Sequence, residues 1–516
     1  MARGASIAES KQLAGVSGLF ENTCKEWHVT IISHKFFETH KFIMTTVRTR
    51  LAPSPTGDDI HIGNLHTALI NYTVALKHKG QFIVRLEDTD QAREVKGSGE
   101  RILQSLIDYG LEYAEGPDRD GKYGPYKQSE RLEIYQRYVK ELIESGAAYY
   151  CVCSKERLTD LRQKQQKQKQ VPCYDKHCVD RQDAVKKQIE TGQQHVVRLN
   201  VTPGQEISFE DTLRGTITFN SSDVDDQVLL KSDGFPTYHL AVVIDDHFMQ
   251  ITHVIRGEDW IPSTPKHVLL YRAFGWELPI FAHTPLLRNP DKSKLSKRKN
   301  PVWAGWYLSE GYLPQALINY LSLMGWTHPK QQEIFDMEEF AKVFDLSHMQ
   351  PGSPIFDIVK LSWMNGEYIR SFELGGLSHE LGGYLQEYKG EQWDKIKKHK
   401  KVFEASLPLV QERMKILSEY WGLCAFFYEA PTKYEINIED KKALLKKISS
   451  ALESARSWEV DAIGEILQGV AIAQGVKNRD LFQVVRVAIT GRKISPPLNE
   501  SMQILGKKEC LARLSK

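Results

Sequence analysis

Two short stretches carry the residue types that phosphate chemistry needs. In the first, Ala52-Pro53-Ser54-Pro55-Thr56-Gly57 breaks a strand-like run, and His61-Ile62-Gly63-Asn64 opens a helix. Backbone N–H groups at a helix N-terminus attract phosphate, and Gly63 lacks the side chain that would block close approach. His61 adds a donor able to follow charge developing on a phosphate oxygen. In the second stretch, Lys294-Leu295-Ser296-Lys297-Arg298 sets three cations around a serine, which suits a loop that clamps a polyphosphate. Taken singly, the first is equally a capped turn with a surface histidine and the second a solvated basic loop. A third group, Cys151, Cys153, Cys173 and Cys178, lies within one short stretch and is a candidate metal site.

The elements around these residues read as α/β. Residues 47–52 alternate like a strand, and residues 61–79 read as a helix with Leu65, Leu69, Tyr72 and Leu76 on one face. Residues 81–87 form a near-continuous apolar strand, as in a parallel sheet covered on both faces. Helices are expected near 99–110 and 131–145. Strand, helix and strand at this spacing predict a doubly wound sheet. From 151 to about 232 the composition changes, with the polar run 163–170, the cysteine group and short strand-like pieces such as 196–201, so this segment reads as an insertion. The sheet pattern resumes with expected strands at 238–244 and 251–255, followed by a helix near 264–274. After Lys294 the chain reads as mostly helical. The first phosphate stretch then falls at the first strand-to-helix turn and the second follows the resumed sheet, where a ligand crevice receives groups from both halves.

Composition sets the outer limits. The chain has 516 residues, enough for several domains, and its 41% hydrophobic and 10% aromatic content excludes global disorder. No apolar run approaches the roughly 20 residues of a bilayer span. Against 66 acidic residues stand 68 Lys and Arg, a net charge of +2, so any polyanion contact must come from local basic tracks such as 395–401 and 441–447. The seven cysteines are an odd, uneven set, which fits a reducing, cytoplasmic compartment better than a disulfide framework. Residues 1–43 carry no secretory core and contain Glu9, Glu21, Glu26 and Glu38, so they read as an extension outside the fold, with Met44 a plausible start.

Together, His61-Ile62-Gly63-Asn64 and Lys294-Leu295-Ser296-Lys297-Arg298 resemble the HIGH and KMSKS signatures of class I aminoacyl-tRNA synthetases. The segments beginning Arg50-Leu51-Ala52, Arg85-Leu86-Glu87, Gly124-Pro125-Tyr126, Thr237-Tyr238-His239, Val254-Ile255-Arg256 and Gly311-Tyr312-Leu313 are similar to the bacterial-type glutamyl-tRNA synthetase family, a likeness running from about Thr46 to the C-terminus. It implies a Rossmann-type doubly wound catalytic domain, an inserted α+β acceptor-binding domain and an all-α anticodon-binding C-terminal half. The expected divisions are 1–43 (extension), 44–150 and 233–293 (catalytic), 151–232 (insert), 294–370 (signature loop and stem contacts) and 371–516 (anticodon binding).

The resemblance also implies roles. Arg50 and Arg256 would face the carboxylates of L-glutamate, since a guanidinium fork selects charge and planar shape together. Ala52, Ser54, Glu87, Tyr238 and Trp260 would complete that pocket, with Glu87 on the α-ammonium. ATP with Mg²⁺ would be held by His61, Gly63, Asn64, Lys294, Ser296 and Lys297, of which His61, Gly63 and Lys297 carry the catalytic role. Asn64 stands where the signature has its last histidine, and one extra residue falls between Gly57 and His61. Zn²⁺ would be bound by Cys151, Cys153 and Cys178 with Asp180 at the family's usual histidine position, His177 and Cys173 being the other candidates. Arg413 would read the third anticodon base. The implied activity is ATP-dependent attachment of glutamate to tRNA-Glu by a monomer, with activation requiring bound tRNA. A non-discriminating enzyme that also charges tRNA-Gln and a non-catalytic RNA-binding protein of the same fold are the rival readings.

Overall fold

The computed structural model describes residues 46–295 and 301–515. The extension 1–43 and Met44, together with Ser296 and Lys297 of the basic loop, lie outside the described residues. β1 (Arg48–Leu51) ends at the Pro/Gly break, α1 (Ile62–Lys77) returns along the sheet, and β2 (Gln81–Val84) pairs with β1 in parallel, Arg48 opposite Gln81 and Leu51 opposite Val84. Phe82, Ile83 and Val84 are all buried, as an apolar run between two helical layers requires. α1 buries Ile62, Leu65, Ala68, Leu69 and Val74, whereas Leu76, expected on that face, is 44% exposed near the end of the helix. α2 (Ser98–Asp108) and α3 (Leu132–Glu144) follow, each with an apolar side inward.

The segment expected as an insert divides between two sheets. β3 (Ala148–Cys151), α4 (Lys155–Lys167), α5 (Gln182–Glu190), β4 (Val196–Leu199) and β7 (Val228–Leu230) form one unit, its antiparallel strands ordered β3-β4-β7. Between β4 and β7 runs the hairpin of β5 (Glu206–Asp211) and β6 (Gly215–Asn220), which lies on another sheet.

A helix replaces the strand expected at 238–244. α6 (Tyr238–Phe248) is buried along Leu240, Ala241, Val242, Val243 and Ile244. A short, continuously apolar run has no periodicity that separates a strand from a fully buried helix. Near its C-terminus the helix carries Asp245 and Asp246, both buried against arginines from other elements. β8 (His253–Gly257), α7 (Thr264–Phe274) and β9 (Ile280–Thr284) complete the sheet, in the order β6-β5-β9-β8 with β8 and β9 parallel. Thr252 N–H donates to Arg48 O at 3.0 Å, which seats the entry to β8 beside β1 and brings the two halves together.

Beyond Thr284 no strand occurs among the described residues. Helices from Ala304–Ser309 to Ile358–Ser371 add Tyr307, Leu317, Leu321, Phe340 and Leu361 to the core of α1 and β2, and later helices up to Lys507–Leu514 pack around two further cores, one on Leu381, Leu407 and Tyr420, the other on Ile448, Leu467 and Val485. No helix among the described residues is long and apolar enough to cross a membrane.

Candidate active site and metal centre

His61 is the N-cap of α1. Its Nδ1 accepts from Gly63 N–H at 3.0 Å, which makes Nδ1 the acceptor and leaves the proton of the neutral ring on Nε2. A Cβ on Gly63 would stand 3.2 Å from that Nδ1, so glycine permits the cap. The backbone donors of this turn are already engaged: Ile62 N–H by Val302 O at 2.7 Å, Asn64 N–H by His61 O at 2.7 Å. Gly63 N–H is engaged as well, by His61 Nδ1. Asp59 pins the lengthened approach to His61, accepting from Ser105 Oγ at 2.7 Å and Gly305 N–H at 2.6 Å.

A cavity of about 310 Å³ opens at this turn. Its wall includes His61, Gly63 and Asn64 from α1, Gly257, Asp259 and Trp260 from the end of β8, and Lys294 from the basic loop. His61, Gly63 and Asn64 of the first stretch and Lys294 of the second therefore line one cleft. Lys294 Nζ lies 3.3 Å from Asp259 Oδ2, both exposed.

Beside that cleft is a buried charge cluster. Arg50 grips Asp246 with two nitrogens, Nε at 3.1 Å from Oδ1 and Nη2 at 3.2 Å from Oδ2. Arg85 donates to the same Asp246 at 2.8 Å and to Glu87 at 3.1 Å, and Arg131 meets Asp245 at 2.7 Å. Burial pushes the Glu87 carboxyl up to about 7, against the pull of Arg85. Burial acts the same way on Asp246, but Arg50 and Arg85 outweigh it and hold that carboxyl below the usual range. Three carboxylates thus match three guanidinium groups. Glu87 N–H donates to Pro53 O at 3.0 Å, placing Glu87 against the segment that carries half-buried Ala52 and exposed Ser54.

Arg256 differs. It is buried, yet its partners are all neutral: Nε donates to His283 Nε2 at 3.1 Å, Nη1 to Tyr238 Oη and His267 Nδ1 at 3.2 Å each, and Nη2 to Thr264 Oγ1 at 2.9 Å. Burial first, and then the Arg256 charge itself, holds His267 well below the ordinary imidazole value. The Tyr238 ring lies 4.3 Å from that of Trp260. A guanidinium has five N–H groups, so one Nη2 hydrogen is left over, and the Tyr238 hydroxyl hydrogen has no acceptor among the described residues. A buried cation without an anion is costly, and a bound carboxylate would relieve it.

The sequence reading missed Asp246, Thr264, His267 and His283. Two adjacent aspartates ending an apolar run, Asp245-Asp246, were the available signal for the first. Nothing in the local pattern distinguishes the others.

The structure brings three of the expected cysteines together and leaves Asp180, His177 and Cys173 outside their group. The sulfurs of Cys151, Cys153 and Cys178 lie within 4.8 Å of one another. Asp180 is not in that group; it sits exposed on the short turn Val179–Arg181, which carries it away from buried Cys178. His177 Nε2 is engaged by Arg181, and half-buried Cys173 is also outside the group. Instead the Tyr174 hydroxyl lies 3.4 Å from Cys151 Sγ and 3.2 Å from Cys153 Sγ. The ring of Tyr174 packs under the Arg198 guanidinium at 4.1 Å. A hydrogen bond from Cys178 pulls the Cys151 thiol down to about 4, against its burial.

Arg413 lies far along the chain from this chemistry, exposed just after the helix Lys400–Val410. Its Nη1 donates to Ser495 O at 2.8 Å, and it stands close enough to Arg486 to oppose that cation's charge. Several lysines of the expected basic tracks are paired with carboxylates: Lys395 with Glu429, Lys397 with Asp394, Lys400 with Glu404 and Lys442 with Glu439.

Comparison with known proteins gives this arrangement its class. Residues 46–363 match the family described as tRNA synthetases class I (E and Q), catalytic domain, and residues 380–516 match the Anticodon binding domain family. The glutamate–tRNA ligase of Acidothermus cellulolyticus is 46% identical over 480 residues, covering 91% of this chain and 95% of that protein. That of Stutzerimonas stutzeri is 43% identical over 472 residues, covering 90% and 93%. A crystal structure of a glutamate tRNA ligase from Elizabethkingia meningosepticum, in complex with its amino acid, superposes with a TM-score of 0.80 at 32% identity, covering 91% of this chain and 98% of that one. The chain belongs to the glutamate–tRNA ligase family of class I tRNA synthetases.

Proposed function

We propose that this chain is a ligase that attaches L-glutamate to tRNA-Glu in two ATP-dependent steps, acting as a cytoplasmic monomer. The observation that carries the substrate is the lone Arg256 charge. L-glutamate has two carboxylates and one ammonium at neutral pH, a net single negative charge, which is what the pocket lacks. One carboxylate would take the spare Nη2 hydrogen of Arg256 and the Tyr238 hydroxyl. Glu87 would receive the ammonium, and Arg50 would contribute to the pocket while keeping its bond to Asp246.

In the first step a carboxylate oxygen of glutamate attacks the α-phosphorus of ATP in line. The bond to the bridging oxygen breaks, and pyrophosphate leaves with its electrons. No side chain need form a covalent bond, so the rate comes from positioning and charge stabilisation. The Nε2–H of His61 and the side chain of Asn64 would donate to phosphate oxygens. Lys294 and Lys297 would supply charge from the opposite wall, and Mg²⁺ would accompany the phosphates. In the second step a ribose hydroxyl at the tRNA end attacks the glutamyl carbonyl and releases AMP.

Glutamate-dependent ATP–pyrophosphate exchange, measured with and without tRNA, tests this reading. Exchange with tRNA present supports it; no exchange in either condition defeats it and favours a non-catalytic RNA-binding protein. Charging tRNA-Glu and tRNA-Gln side by side tests the role of Arg413, and equal efficiency would make the enzyme non-discriminating.

The insert would hold Zn²⁺ through Cys151, Cys153 and Cys178, with the Tyr174 hydroxyl as the fourth donor. Three soft sulfurs and one oxygen suit a closed structural zinc site, which would tie β3 to the loop before α5. Metal analysis should find about one zinc per chain, falling in Cys178→Ser. Tyr174→Phe should weaken retention against a chelator, while Asp180→Asn should leave it unchanged.

A further inference from the structure

Arg256 is held by more than its immediate partners. His283, fully buried on β9, stands between Arg256 and Asp211, the last residue of β5. Asp211 Oδ2 accepts from His283 Nδ1 at 2.7 Å and from the His283 backbone N–H at 3.0 Å, while Oδ1 accepts from Leu213 N–H at 3.0 Å. On the other side of the ring, Nε2 accepts from Arg256 Nε at 3.1 Å. A neutral imidazole carries one proton, and a carboxylate at Nδ1 fixes it there. Nε2 is then obliged to be the acceptor, and the N–H it receives in this structure is that of Arg256 Nε. The guanidinium is thereby rotated so that its Nη edge faces Tyr238, Thr264 and the pocket.

We propose that Asp211 and His283 are positioning residues that fix the orientation of Arg256 and, through it, the grip on the substrate carboxylate. This rests on reading the chain as a glutamate ligase and adds two residues to it. One of them comes from the hairpin within the segment expected to serve only the tRNA acceptor end. The hairpin is well placed for the role: β5 meets β9 in parallel at Asp211 and Phe281, and Thr212 N–H donates to Phe281 O at 2.8 Å. Asparagine cannot replace Asp211 silently. Three N–H groups converge on its two oxygens, so the amide NH₂ would face a donor in either orientation.

Steady-state kinetics of the full chain with tRNA, varying glutamate and ATP separately, tests this. Asp211→Asn and His283→Asn should each raise the KM for glutamate by at least about tenfold, with the KM for ATP within about twofold. His283→Gln should lose less than about threefold, because its Oε1 falls near the position of Nε2 and still accepts from Arg256. In an Arg256→Lys background, Asp211→Asn should add less than about twofold, since residues acting through one partner are not additive.

Unchanged glutamate KM in both asparagine variants, equal rises for glutamate and ATP, or full additivity with Arg256→Lys would overturn the positioning role. If Asp211→Asn fails to fold, the pair at position 283 decides, and equal losses in His283→Gln and His283→Asn overturn the role. A wild-type chain with no glutamate-dependent exchange would instead overturn the parent reading, and this one with it.

Discussion

Arg50 and Arg256 invite comparison because the family resemblance gives them the same task. Both are buried, at 3% and 5% exposure, and both end up beside the same pocket. Their surroundings are opposite. Arg50 arrives already neutralised by Asp246, which it shares with Arg85. Arg256 is ringed by two imidazoles, a phenol and a threonine hydroxyl, none of which carries charge. The first wall is complete without a ligand and the second is not. Residues of one type, at one depth, can therefore divide between a charge that is paired within the protein and one that meets only neutral partners.

The sharpest break in that comparison is kinetic. Arg256→Met should lower kcat/KM for glutamate by about a thousandfold or more, roughly 4 kcal/mol, through loss of a charge-assisted carboxylate contact in a dry site. Its folding stability should change by only about 1 kcal/mol, because removing an unpaired buried charge offsets the lost hydrogen bonds. Saturating glutamate should raise the Tm of the wild type but not of this variant. A large fall in stability without ligand would mean that Arg256 is structural after all.

Asp246→Asn should reverse the pattern. It strands the charge of Arg50, weakens the pairing of Arg85, and should cost about 3–5 kcal/mol of stability, read as a lower midpoint in denaturant. If the variant unfolded no more easily than wild type, the claim that the Arg50 wall is prepaired would fail.

A smaller effect comes from pH. With its carboxyl raised to about 7 by burial, Glu87 favours the protonated form in the folded, ligand-free protein. Its contribution to stability is therefore present at low pH and is lost as pH rises through about 7. Binding of the substrate ammonium needs the ionised form, so the sign for affinity is opposite. The KM for glutamate should rise by up to about tenfold per pH unit below 7. Glu87→Gln should bind more weakly at every pH and lose that slope. An equal slope in both proteins would assign the titration to another group.

Much of this was legible from residue order alone. The strand–turn–helix around His61 announces itself through Pro, Gly and the apolar spacing that follows, and β2 through its unbroken apolar run. The two phosphate stretches also fall at positions where an α/β sheet gathers ligands. The failures have a common cause. Residues 238–244 are apolar on every side, so their sequence holds no period to read, and the helix there is recognised only by what it packs against. The family resemblance puts Asp180 among the ligand candidates, whereas in the fold it lies exposed on the turn Val179–Arg181 and the Tyr174 hydroxyl lies beside the sulfurs.

The sequence by itself determined the class of machine: a split α/β domain, a cysteine-bearing insert, a helical remainder and the short motifs of the class. These are properties of local pattern and of short motifs, which the chain states in order. Only the tertiary structure decided which charges were already paired. Arg50, Arg85 and Arg131 meet carboxylates drawn from Glu87 and the last turns of α6, and Arg256 meets none among the described residues. Pairing of buried charges depends on a few ångströms across elements far apart in sequence, and no spacing rule along one strand contains that information.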